Sequence, residues 1–191
     1  MPLNLPIFLT WLRILAIPLL LAIYYVPESW LGGQERNLLA TGIFIAAALT
    51  DWADGYLARK LNQTSAFGAF LDPVADKLMV AAALIMLVQL GRADSLIATI
   101  IIGREITISA LREWMAKIGA AKSVAVSLLG KIKTTAQMVA IPMLLHEQPL
   151  FGIDLMYFGK LLAWVAAVLT MWSMAYYLQK AWPEIRRRSG D

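Results

Sequence analysis

The stretch DWADGYLARKLNQTSAFGAFLDPVAD, residues 51–76, sets four aspartates, Asp51, Asp54, Asp72 and Asp76, at spacings of three, eighteen and four. They stand at the edges of two segments apolar enough to be membrane helices. On insertion scales an aspartate at the centre of a spanning helix costs roughly 2.5 to 3.5 kcal/mol, so four left deep and unpaired would cost on the order of 10 kcal/mol. Residues three or four apart share a helix face, and two such pairs on neighbouring helices would bring four carboxylates together. Like charges about 5 Å apart repel by roughly 3 kcal/mol at an effective dielectric of about 20, and divalent cations are the natural compensation.

The rest of the chain supports a membrane setting. Hydrophobic residues make up 60% of its 191 positions and charged ones only 16%, with a mean hydropathy of +0.65, outside the balance of a soluble domain. The seven tryptophans and six tyrosines suit the membrane interface, and the nine methionines suit packing. With no cysteine, disulfides, thiolate nucleophiles and cysteine-based metal sites are excluded. The single histidine, His146, reads as a solvated residue in a polar connection. The net charge of +4 is spread over apolar helix ends and the run Arg186 to Arg188, a pattern that suits anionic lipid headgroups rather than nucleic acid. No basic segment precedes the first apolar run and Arg13 interrupts it, so a retained helix is expected rather than a cleaved signal.

Working outward from the aspartates gives six expected spans in one domain, residues 1–191. They run from about Pro6 to Val26, Asn37 to Arg59, the Asp72 and Asp76 region to Gly91, Ser95 to Lys117, Val124 to Leu145 and Leu155 to Leu178. Pro73 is expected in the first turn of its helix, and Pro18 and Pro142 are candidate kinks. Short links make neighbouring helices antiparallel in an all-α bundle. Lys60, Lys117, Lys122, Lys180 and Arg186 to Arg188 collect on one side, which places both termini and the aspartates at the cytoplasmic face.

Carboxylates are hard ligands suited to magnesium or manganese. Gly55, Ala58 and Gly68 remove bulk where a nucleotide would approach the backbone, and Arg59 offers a fork of donors matched to phosphate. Together these describe phosphoryl transfer better than proton conduction. The pattern D-x2-D-G-x2-A-R-x8-G-x3-D-x3-D, complete here, resembles the signature of the CDP-alcohol phosphotransferase family. Further stretches, NLPIFLTWLR (4–13), REITISALREWMA (104–116), SVAVS (123–127) and GKIKTTAQM (130–138), resemble its bacterial branch that uses glycerol phosphate. The resemblance implies a six-helix core of the bacterial inner membrane, usually a homodimer. In it an acceptor hydroxyl attacks the β-phosphorus of CDP-diacylglycerol and CMP leaves. It further implies that Asp51, Asp54, Asp72 and Asp76 hold two divalent cations, Mg2+ or Mn2+. Asp76 would also be the general base, and Gly55, Ala58, Arg59 and Ser65 would meet the CDP moiety.

An anionic acceptor needs cations. Arg104 and Arg112 are eight residues apart, roughly on one helix face, and Lys131 and Lys133 lie in the fifth span. They are the candidate pocket for the phosphate of sn-glycerol 3-phosphate, with Arg112 and Lys133 the leading members. The competing reading is snorkelling and pairing, for instance of Arg104 with Glu105 or Glu113. Arg13 could reach the site or cap the carboxylates. For the aspartates the alternative is a structural charge network with Arg59 and Lys77. Rival functions are a family member with another acceptor (phosphatidylglycerol, inositol phosphate or serine) and a cation or proton transporter. The latter is disfavoured because the aspartates cluster at one boundary.

Overall fold

The computed structural model describes residues 5–61, 66–120 and 128–189, and in them the chain forms six helices. These are α1 (Leu5–Ile23), α2 (Gly33–Leu61), α3 (Ala66–Gln89), α4 (Ser95–Lys117), α5 (Leu128–His146) and α6 (Leu155–Ser189). Among the described residues the only β pairing is an isolated bridge between Leu150 and Ile153 in the α5–α6 link. The helices close a ring in the order α1, α3, α4, α6, α5, α2, with α3 also touching α2 and α5 across it. Successive helices alternate in direction, so one end of the bundle collects the start of α1, the end of α2, the start of α3, the latter half of α4, the start of α5 and the latter half of α6.

Local sequence explains where the helices stop and start. Asp94 caps α4, its carboxylate accepting from the Leu96 amide at 2.7 Å, and Asp154 accepts from the Tyr157 amide at 3.0 Å at the head of α6. Gly91 ends α3 at φ +69° and Gly119 follows α4 at φ +77°. In both, paired bonds close a Schellman turn: Arg92 N to Leu87 O with Gly91 N to Val88 O, and Ala120 N to Met115 O with Gly119 N to Ala116 O. At the end of the bundle away from the aspartates, Arg92 donates to the Leu145 carbonyl at 2.9 Å and to Glu147 at 2.8 Å. Glu147 also accepts from Asn37 at 2.8 Å, which ties α2, α4's leading link and α5 together.

Three expectations need correction. Helix α3 begins at Ala66, so Pro73 lies inside it and not in its first turn. The segment ahead of the proline buries Leu71, and that packing outweighs the missing ladder bond. His146 is the last residue of α5 rather than part of a connection. Helix α6 runs past Leu178 and takes Arg186 and Arg187 with it, where Arg186 stacks over Trp182 at 5.5 Å and Lys180 over Tyr176 at 4.7 Å.

Packing is inside-out along α6. Ala163, Ala166, Ala167, Thr170 and Ser173 face the core, whereas Leu161, Val165, Val168 and Trp172 point outward. Small residues inside let helices approach closely, and a large apolar exterior calls for an apolar surrounding. By length and composition, Leu155–Arg187 is the one described stretch that passes as a membrane-crossing helix, and Ile7–Ile23 is a shorter apolar helix. Helices α2 to α5 carry ionisable residues along their length, including Asp51, Asp76, Arg104 and Lys133, which lowers the hydropathy of any long window in them.

Helices α5 and α6 approach closely at Gly159. A Cβ on Gly159 would lie 2.9 Å from Leu144 Cγ and 3.2 Å from Met143 Cβ. Gly159→Val is therefore expected to push the two helices apart and destabilise the protein by about 1–3 kcal/mol, read as a lower thermal unfolding midpoint in detergent.

Candidate active site

The acid pair is assembled by α1. Arg13 is 1% exposed, and its Nη1 donates to Asp51 Oδ1 at 2.9 Å and to Asp76 Oδ1 at 2.8 Å. A single guanidinium nitrogen thus joins the latter part of α2 to the early part of α3. Thr10, three residues earlier and on the same face of α1, donates its hydroxyl to Asp72 Oδ1 at 2.5 Å. Of the two readings of Arg13 left open by the sequence, the capping of carboxylates is present. Asp54, Gly55, Ala58 and Arg59 lie in α2 and Lys131 lies in α5, but their side chains fall outside the described structure, as does Ser65 altogether.

Among the described residues, no three acidic or histidine side chains form a metal-holding group. What fits a divalent cation is narrower: two carboxylates from separate helices converge on one point, and their oxygens are hard donors. Arg13 supplies the positive charge that this convergence requires.

The basic residues form a second cluster around α6. Glu105 Oε1 takes both Lys133 Nζ and Arg104 Nη1, the latter at 3.1 Å. Arg104 Nη2 donates to Ser173 Oγ at 3.1 Å, and Arg112 Nη2 reaches the Tyr177 hydroxyl at 3.4 Å. Both guanidinium groups lie over the Tyr177 ring, at 5.7 and 5.3 Å from its centroid, the stacked geometry that favours arginine over lysine. The pairing of Arg104 with Glu105, the competing reading, is present, but within one helix. Among the described residues it does not neutralise the cluster, since Arg104, Arg112 and Lys133 gather around the single carboxylate of Glu105 and Lys133 lies in the field of both arginines. The buried Nε atoms of Arg104 and Arg112 make no hydrogen bond among the described residues.

A cavity of about 220 Å3 lies beside the acid pair and touches the second cluster at Glu105. Its walls include Asp51 from α2, Asp76 and Lys77 from α3, Glu105 from α4 and Gln137 from α5. Such a space, with two carboxylates on one side and Glu105, the anchor of two cations, on the other, is a pocket between charge clusters of opposite sign.

Residues 3–172 match the sequence profile of the CDP-alcohol phosphatidyltransferases. The chain belongs to the CDP-alcohol phosphatidyltransferase family. Over 183 residues it is 49% identical to a CDP-diacylglycerol--glycerol-3-phosphate 3-phosphatidyltransferase of Escherichia coli (strain K12), covering 95% of this chain and 96% of that one. Identity and coverage are the same for relatives of that name from Salmonella choleraesuis (strain SC-B67) and Shigella flexneri.

Four participants were not singled out from the sequence as site residues. Thr10 and Glu105 lie in stretches that carry the family resemblance, whereas Ser173 and Tyr177 lie just past the family match. The available signal was a pair of polar groups four apart on one face of an otherwise apolar helix. Removing the cation of the acid pair is expected to be costly: Arg13→Met leaves two carboxylates facing each other. Because those carboxylates are 35% and 36% exposed, solvent screening holds the loss to about 2 kcal/mol, checked by thermal unfolding without added divalent cation.

Proposed function

We propose that this chain transfers the phosphatidyl group of CDP-diacylglycerol to sn-glycerol 3-phosphate, giving phosphatidylglycerophosphate and CMP. The observation that carries this reading is the cavity lined by both Asp51 with Asp76 and Glu105 of the cation cluster, in a chain 49% identical to relatives bearing that activity in their names. The protein acts as a single domain over residues 1–191, a six-helix core in the bacterial inner membrane with both termini and the site toward the cytoplasm. The outward-facing apolar residues of α6 and the Lys and Arg distribution support that placement. A homodimer follows from the family resemblance.

Asp51, Asp54, Asp72 and Asp76 would hold two divalent cations, Mg2+ or Mn2+, whose chemistry when bound is to neutralise phosphate charge and acidify the attacking hydroxyl. Gly55, Ala58, Arg59 and Ser65 seat the CDP moiety, the small residues admitting the nucleotide close to the helix and Arg59 pairing with the diphosphate. Arg104, Arg112, Lys131 and Lys133 bind the acceptor's phosphate, which carries about −1.5 to −2 charge near neutrality and so meets the surplus of cations. Asp76 takes the proton of the attacking glycerol hydroxyl as its oxygen bonds to the β-phosphorus. The phosphoanhydride bond breaks and CMP departs with that bond's electrons.

Purified protein in detergent, given CDP-diacylglycerol, Mg2+ and labelled glycerol 3-phosphate, is expected to yield labelled lipid and CMP, and chelation to abolish both. Labelled lipid from inositol phosphate instead would assign a different acceptor, and metal flux in liposomes with no CMP from any acceptor would refute the enzyme. Asp76→Asn is expected to lower turnover by at least about a hundredfold while CDP-diacylglycerol still binds; a near-normal rate overturns the base role. Arg112→Ala and Lys133→Ala are each expected to raise the KM for glycerol 3-phosphate, by roughly tenfold or more, and unchanged kinetics would exclude the phosphate pocket.

A further inference from the structure

Glu105 belongs to both halves of the site. It lines the cavity beside Asp51 and Asp76, and one of its oxygens accepts from Lys133 of α5 and Arg104 of α4. We propose that Glu105 is a positioning residue for acceptor recognition: it holds Lys133 and Arg104 in the arrangement that receives the acceptor's phosphate. The inference rests on the glycerol phosphate reading above.

Burial makes the arrangement dependent on this carboxylate. The Lys133 side chain is 3% exposed and that of Arg104 5%, whereas Glu105 retains 24%. The carboxylate is the more accessible member, and it links two otherwise dehydrated cations to the cavity that it lines itself. Arg104 is held on both sides, Nη1 by Glu105 and Nη2 by Ser173, with the Tyr177 ring against its guanidinium. That fixes the plane of its donor fork. Lys133 has three donors, of which Glu105 takes one and no other described residue takes a second.

Charge supplies the second argument. With Glu105 ionised, three cations oppose one carboxylate, and the surplus matches a phosphate monoester of about −1.5 to −2. With Glu105 neutral, Lys133 and Arg104 lose their shared counter-ion in the field of Arg112, and their repulsion turns Lys133 away from Arg104. Lys77 also acts on Glu105 from the α3 side, so the carboxylate is held among cations from three helices.

The test is steady-state kinetics on the full chain in detergent, with each substrate varied in turn. Glu105→Gln is expected to raise the KM for glycerol 3-phosphate by roughly tenfold, with the KM for CDP-diacylglycerol and kcat within about threefold of the unsubstituted protein. Adding Glu105→Gln to Lys133→Gln is expected to raise that KM by clearly less than Glu105→Gln does alone, because part of the carboxylate's effect runs through the lysine and the remainder through Arg104. Should Glu105→Gln not fold, Glu105→Asp is read the same way, since the shorter side chain cannot hold both cations. The inference is overturned by an unchanged KM for glycerol 3-phosphate, by equal rises for both substrates, or by a full effect in the Lys133→Gln background. Failure of the unsubstituted protein to release CMP with glycerol 3-phosphate would instead reject the underlying function, so the two failures are distinct.

Discussion

A charge removed from water must find its opposite, and the active end of this bundle is organised by that requirement. Arg13, buried on α1, is the clearest case: with α1 in place it satisfies Asp51 and Asp76 at once, and with Thr10 it brings Asp51, Asp72 and Asp76 to one helix face. In a bundle this apolar, an unpaired carboxylate would be expensive. Docking α1 against α2 and α3 is therefore both a packing event and the formation of the acid pair.

The same constraint at the basic cluster has a different outcome. There the cations outnumber the carboxylates, and aromatic stacking on Tyr177 with hydrogen bonding to Ser173 covers part of the deficit. A charge surplus inside a bundle is a standing invitation to an anion. The acid pair shares one cavity with Glu105, the carboxylate that holds Arg104 and Lys133, so the two charge clusters meet through that side chain. The opposite end of the bundle, by contrast, matches Arg92 to Glu147 and to helix carbonyls, and closes the structure without leaving such an excess.

Much of this was legible in the chain. Apolar runs of spanning length located all six helices, because helix existence depends on local hydrophobicity and length. Helix α4 coincides with its expected bounds, since Asp94 and the turn at Gly119 are local signals. The start of α3 was not legible: Pro73 marks a helix start by local rule, and only the burial of Leu71 shows why the helix begins earlier. The extension of α6 was missed for a similar reason. Its charged end reads as a tail until Tyr177 and Ala181 are seen packed against Ile108 and Met115 of α4.

The sequence by itself determined the family and the candidate chemistry, because the signature confined to residues 51–76 keeps its carboxylates close along the chain and leaves a fixed spacing to read. Only the tertiary structure decided the partners: Arg13 with Asp76, Thr10 with Asp72, Lys133 with Glu105, and Tyr177 beneath two arginines. These pairs join different helices across long separations in sequence. Periodicity tells which face of a helix a charge occupies, but the neighbour on the other side of that face is chosen by how the helices pack and by the cost of burying any charge unmatched.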